Sequence, residues 1–259
     1  VDGINISRRN GAGIFIDSSS PILRNLTIYN NTSYGIGSAL KLLYSGAEIS
    51  NSIIEKNTCY GQGTIQSGFC RDLKLINLTI RENTATGIGL FLQHEGSVTL
   101  ENVVIEDNFQ TATSSNYAGL YIKGAAADKP ITVTLKNVYV KGHESPSNAG
   151  ASFIFLSEAS SIDGLYCIGN TATAATTGGL HLSKSYNVTL NNIVVEDNKG
   201  INGPVCMVEC ENIILNHFTA KNNKATKGGG IHLHKSSNIE IYNAEITNNI
   251  VEKNGSAIY

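Results

Sequence analysis

The stretch Gly228 to Asn249, GGGIHLHKSSNIEIYNAEITNN, is written again at Gly179 to Asn198, GLHLSKSYNVTLNNIVVEDN, and at Gly89 to Asn108, GLFLQHEGSVTLENVVIEDN. Each copy runs through a small-residue opening, a short alternating strand, a polar corner, a second alternating strand, an Asn, three more strand residues and a closing Asn. Self-similarity with a period of roughly 20–50 residues marks a stack of like units, none of which can bury its own apolar face alone. No other feature of the chain limits its fold so narrowly.

Three columns keep step through the repeat. An Asn falls at Asn25, Asn51, Asn77, Asn102 and Asn137, is replaced at Gly164, and returns at Asn192, Asn216 and Asn243, with steps of 26, 26, 25, 35, 27, 28, 24 and 27 residues. Six residues later comes a partner column: Asn31, Asn57, Asn83, Asn108, His143, Asn170, Asn198, Asn222 and Asn249. A third column places a small residue before each first strand, at Gly13, Ala39, Gly63, Gly89, Gly119, Ser152, Gly179, Pro204, Gly230 and Ala257.

The segments between these marks alternate with period two, and none carries apolar residues at helical spacing over helical length. Laying each strand on its equivalent one period later pairs every backbone group and encloses one long core. The expectation is an all-β chain: a single-stranded parallel β-helix, or β-solenoid, right-handed as parallel crossovers are, with about nine to ten coils of roughly 24–35 residues. The first Asn column is expected at a tight corner, in the left-handed region, pointing inward as a ladder of amides. Such a ladder is stable only when continuous, because an unpaired buried amide costs about 1–3 kcal/mol. Gly164 is expected to loosen it locally.

Residues 1–259 then form one domain. The chain begins and stops inside strands, which reads as a portion of something longer. Inserted corner loops are expected at 109–116, 124–130, 143–150 and 171–177, three of them before a first strand, where stacking would gather them into one protrusion suited to binding.

Composition removes several function classes. Nineteen basic residues against 21 acidic, with no basic tract, disfavour nucleic acid as a partner, and no apolar run is long enough for a membrane-spanning helix. Of five cysteines, Cys167 sits in a core column. Cys59/Cys70 and Cys206/Cys210 are near neighbours, yet four strand residues span roughly 13 Å, beyond disulfide reach. Sequons occur at Asn5, Asn25, Asn30, Asn31, Asn77, Asn187 and Asn254. With Asn25 and Asn77 expected inside, Asn30, Asn31, Asn187 and Asn254 are the glycosylation candidates, and they point to a secreted or surface protein.

The repeat resembles the right-handed parallel β-helix superfamily of pectate-lyase-like proteins over essentially the whole chain. GGGI at 228–231 and GSAI at 255–258 are also similar to repeats of polymorphic outer-membrane surface proteins, although their companion F-x-x-N motif is not reproduced. The superfamily resemblance implies either a polysaccharide-cleaving enzyme or an adhesive surface solenoid, with any chemistry facing outward from the first strand. The site must decide between them.

That outward column reads Phe15, Lys41, Phe91, Tyr121, Ile154, His181, Cys206, His232 and Tyr259, with no carboxylate. Glycoside hydrolysis needs a carboxylate pair; a Ca²⁺-dependent lyase needs clustered acids and a base. No catalytic residue is assigned. His181, Cys206 and His232 in consecutive coils, with His234 beside them, form a candidate transition-metal set. Phe15, Phe91 and Tyr121 are candidate ligand-facing aromatics.

The function expected is a non-enzymatic extracellular or cell-surface rod, structural or adhesive, joined end to end with other copies or with further coils. Glycans are candidate partners and no cofactor is required. The alternative is a polysaccharide lyase, hydrolase or carbohydrate-binding β-helix using loop carboxylates such as Asp17, Glu95, Asp128 or Glu144.

Overall fold

The computed structural model describes residues 5–6, 13–85, 89–94, 96–110, 119–173, 177–255 and 257–258. They form three parallel sheets and no helix. A front sheet of nine strands runs from Ile14–Asp17 through Leu40–Leu43, Ile65–Cys70, Leu90–His94, Leu120–Gly124, Ala151–Ile154, Leu180–Ser183 and Val205–Val208 to Ile231–His234. A longer bent sheet starts at Ile22–Arg24 and Thr27–Tyr29, continues through strands such as Glu48–Glu55, Leu73–Arg81 and Ser97–Glu106, and ends at Ser237–Thr247. A narrow sheet built mostly of two-residue strands runs from Asn5–Ile6 through Thr58–Cys59 and Thr84–Ala85 to Ile250–Asn254. Each strand pairs with its equivalent one period on, as in Leu73↔Val98 and Leu120↔Ala151.

The core is the single stack of apolar side chains that period-two alternation demands. Leu73, Leu75, Leu78 and Ile80 of one coil lie on Val98, Leu100, Val103 and Ile105 of the next, all sealed from solvent. All five cysteines are free and buried. Cys210 occupies a corner position held by Ser185 and Ser236 in the coils on either side; Leu156 N–H donates to Ser185 Oγ, and Cys210 N–H to Ser236 Oγ, at 3.1 Å each.

Small residues precede the front strands because the next coil's backbone lies directly beneath. A Cβ on Gly13 would fall 2.4 Å from the Ala39 carbonyl oxygen, and one on Gly150 2.0 Å from that of Gly179. Register places Thr64 and Gly150 in this column, where sequence spacing suggested Gly63 and Ser152.

The Asn ladders differ from expectation in an instructive way. The first column does sit in the left-handed region, with φ of 56° at Asn25, 50° at Asn51, 52° at Asn77 and Asn102, 53° at Asn137, 55° at Asn192 and 50° at Asn243. It is a kink inside the bent strand, not a corner between two strands, and it faces solvent instead of pointing inward. Its amides still link coil to coil: Asn77 Nδ2 donates to Asn51 Oδ1 at 2.9 Å, Asn102 to Asn77 at 3.0 Å and Asn137 to Asn102 at 3.2 Å. Asn216 is one residue out of register; the kink residue of its coil is His217, at φ 53°.

The buried ladder is the partner column. Asn57 N–H and Nδ2 both donate to Asn83 Oδ1 at 3.0 Å, and Asn83 donates likewise to Asn108 Oδ1 at 3.1 and 2.9 Å. A side-chain bond back to a carbonyl of the preceding coil, Asn57 to Ile28 and Asn83 to Ile54, consumes the remaining amide proton. Asn170, Asn198, Asn223 and Asn249 repeat the pattern, so the inward residue of its coil is Asn223 and not Asn222.

The segment 143–150 is no protrusion. Glu144–Ser145 is a strand of the narrow sheet, and His143, Ser145, Asn148 and Ala149 are buried. Phe109–Gln110 and Thr171–Ala172 are likewise strands of that sheet; 111–116 and 174–176 lie outside the described residues. Among the described residues of these segments, 124–130 forms a surface excursion, closed by an Ala126↔Lys129 bridge.

Candidate functional site

The front sheet's outward column is Phe15, Lys41, Gln66, Phe91, Tyr121, Ser152, His181, Cys206 and His232 in register. Ser152 therefore replaces Ile154 and Gln66 joins the row; Tyr259 is outside the described residues. The surprise is how closed this face is. Lys41 is 7% exposed, Tyr121 7%, Ser152 0% and Cys206 2%. At three front strands the approach folds back over the strand: Gly37, Gly63 and Gly228 turn at φ 72°, 69° and 61°, and a Cβ on them would stand 3.1, 3.4 and 3.2 Å from the Cβ atoms of Lys41, Gln66 and His232.

The expected metal set sits in this closed row. Ser152 Oγ lies 3.0 Å from His181 Nδ1, and Cys206 Sγ lies 3.8 Å from His232 Nδ1. The column thus resolves into a Ser–His pair and a Cys–His pair, with His234 exposed at the last strand's end. Burial lowers His181 to about 4 and lifts the Cys206 thiol to about 11, so at neutral pH the row holds neutral imidazole and thiol. Among the described residues no three His, Cys, Asp or Glu side chains come together as a metal centre requires. The metal expectation is corrected accordingly: the sheet spacing holds the residues in a line, where a centre needs them to converge on a point.

The aromatic expectation is also revised. Phe91 and Tyr121 stack at 5.0 Å between centroids, but Tyr121 is covered. Phe15, open to solvent, is separated from them by Lys41 and Gln66 and holds the Lys41 ammonium 5.7 Å from its centroid. The exposed stacks lie elsewhere, Tyr44 on Phe69 at 5.4 Å and Tyr34 on Tyr60 at 4.9 Å, and a half-buried one sets Tyr139 on Tyr166 at 4.4 Å. Spacings of 25, 26 and 27 residues would have revealed these pairs in the sequence.

The described loop carboxylates do not converge. Asp17 ends a front strand, Asp128 lies in the 124–130 excursion and Glu144 belongs to the narrow sheet; Glu95 is outside the described residues. Of the sequon residues, Asn30 and Asn187 are exposed, and so are Asn25 and Asn77, against expectation. Asn31 is fully buried, with its Nδ2 bonded to Asn57 Oδ1 and to the Tyr29 carbonyl, so it offers no acceptor for a glycan. The Asn254 side chain is outside the described residues.

The architecture defines the class of protein: an uninterrupted parallel solenoid with a laddered interior. The family model described as the right handed beta helix region matches residues 63–259, and the chain belongs to that family. No curated protein and no solved structure matches it.

Proposed function

We propose that this chain is a non-enzymatic rod of the extracellular space or cell surface, a structural or adhesive module built into a longer assembly. The observation that carries the reading is the continuous stack: nine front strands pair in register over one sealed core, and the described loop carboxylates stand apart along it. Exposed sequons at Asn30 and Asn187 support a secreted setting.

Electron micrographs and sedimentation of the native protein test the reading. Rods that join end to end are expected. Turnover of an acidic polysaccharide, lost on changing Asp17, Asp128 or Glu144, would replace the rod with an enzyme.

A further inference from the structure

Two exposed tyrosines stand one above the other where the chain leaves the narrow sheet for the front sheet. Register pairs Thr32 with Thr58 and Ser33 with Cys59, which gives Tyr34 and Tyr60 the equivalent place one residue further on in successive coils. Tyr60 N–H donates to the Ser33 carbonyl at 2.8 Å and so seats one backbone on the other. The two rings lie 4.9 Å apart between centroids and within 8° of parallel. Both residues are open to solvent, at 56% and 55% exposure.

The other ring stacks each lack one of these properties. Tyr44 lies on Phe69, and Tyr121 on Phe91, so each of those stacks holds a single phenol. Tyr139 and Tyr166 are both phenols but half-buried. Burial and the neighbouring Tyr139 raise the Tyr166 pKa above its ordinary value, so its proton leaves less readily. Among the described residues, Tyr34 and Tyr60 are the pair that offers two stacked phenols to an oxidant in solution.

We infer that Tyr34 and Tyr60 form an oxidative cross-linking site, joined ring to ring as dityrosine within one chain by a haem peroxidase that uses hydrogen peroxide. Each phenol gives up one electron and its hydroxyl proton. The peroxide takes both electrons and both protons and leaves as two waters. The phenoxyl radicals carry spin on the carbons ortho to oxygen, and a carbon–carbon bond forms between one such carbon on each ring. Each bonded carbon then passes its hydrogen to the ring oxygen, which restores two phenols. Holding the rings together turns an encounter between scarce radicals into a step within one molecule. Bond formation requires the rings to swing from face to face to edge to edge. Both tyrosines lie outside the strands and each precedes a glycine, Gly35 or Gly61, so the corner can yield. The product is a covalent staple from one coil to the next, which removes conformations open to the unfolded chain. This goes beyond the rod reading and depends neither on end-to-end joining nor on where the protein resides.

The test treats the intact protein, at low concentration, with a haem peroxidase and hydrogen peroxide, followed by proteolysis and mass spectrometry. A cross-linked peptide joining Tyr34 to Tyr60 is expected, lighter by two hydrogens than the two peptides it unites. The blue fluorescence of dityrosine should appear in protein that still sediments as a single chain. Tyr34→Phe and Tyr60→Phe each keep a stacked ring but remove one phenol, and each should abolish that peptide. Tyr166→Phe should leave its yield unchanged. Absence of dityrosine, dityrosine that only joins separate chains, or an intrachain link between other tyrosines in place of this one would overturn the assignment.

Discussion

His143 stands where other coils place the buried Asn, and it shows how one residue sets a pH limit. Its Nδ1 accepts from the Asn108 N–H at 3.2 Å, so its Nε2 must carry the proton that faces the Ile105 carbonyl at 3.1 Å. Burial holds its pKa below the ordinary 6.5, and burial takes His181 down to about 4. The folded state thus refuses protons that the unfolded chain accepts. Stability is fully present above pH about 6.5 and declines as pH falls from there toward 4. His143→Asn restores the amide found in neighbouring coils, and a smaller loss of urea midpoint between pH 7 and pH 5 is expected than in the parent. An identical loss would show that His143 does not titrate in this window. The sequence marked His143 as an Asn substitute; that the position is inward was not legible there. Every left-handed residue restarts the in-out alternation, so counting by twos across Asn77 or Glu82 loses its parity.

At the scale of the element, two ladders run the length of the bent sheet under different conditions. Asn83 is buried with three bonds to its amide groups, whereas Asn77 is exposed and spans the kink. Replacing Asn83 with Ala strands the Ile54 carbonyl and the Asn57 N–H in the core, at a cost of about 2–4 kcal/mol from two lost buried partners. Asn77→Ala is expected to cost about 1–2 kcal/mol, from strain in the left-handed region and two exposed bonds. Asn77→Gly, free of that strain, should cost less. Chemical denaturation of the three variants measures the order, and equal costs for Asn83→Ala and Asn77→Ala would contradict the assignment of inside and outside. Sequence spacing found both columns and the left-handed corner, yet it exchanged their faces. It also slipped by one at Asn216 and Asn222, where adjacent polar residues at 216–217 and 222–223 offer two registers.

For the whole molecule, the period is the unit of stability, since each coil touches only its neighbours. Deleting residues 73–97 joins Asp72 to Val98, the register partner of Leu73, and so removes one whole turn. That shortened chain is expected to melt in one cooperative step, a few degrees lower, whereas deleting residues 73–84 should abolish folding, because a fractional turn throws every later strand onto the wrong partner. Circular dichroism on heating distinguishes the two, and a folded half-turn deletion would refute stacking as the source of order. The solenoid itself was determined by the sequence alone, because a repeated unit that cannot bury its own apolar face has only its copies to bury it against. The closed front face and the exposed aromatic stacks at Tyr34–Tyr60 and Tyr44–Phe69 were decided by tertiary structure. Whether a side chain is covered depends on how the preceding turn folds back over it and on what stands one coil above, and both relations join residues a full period apart.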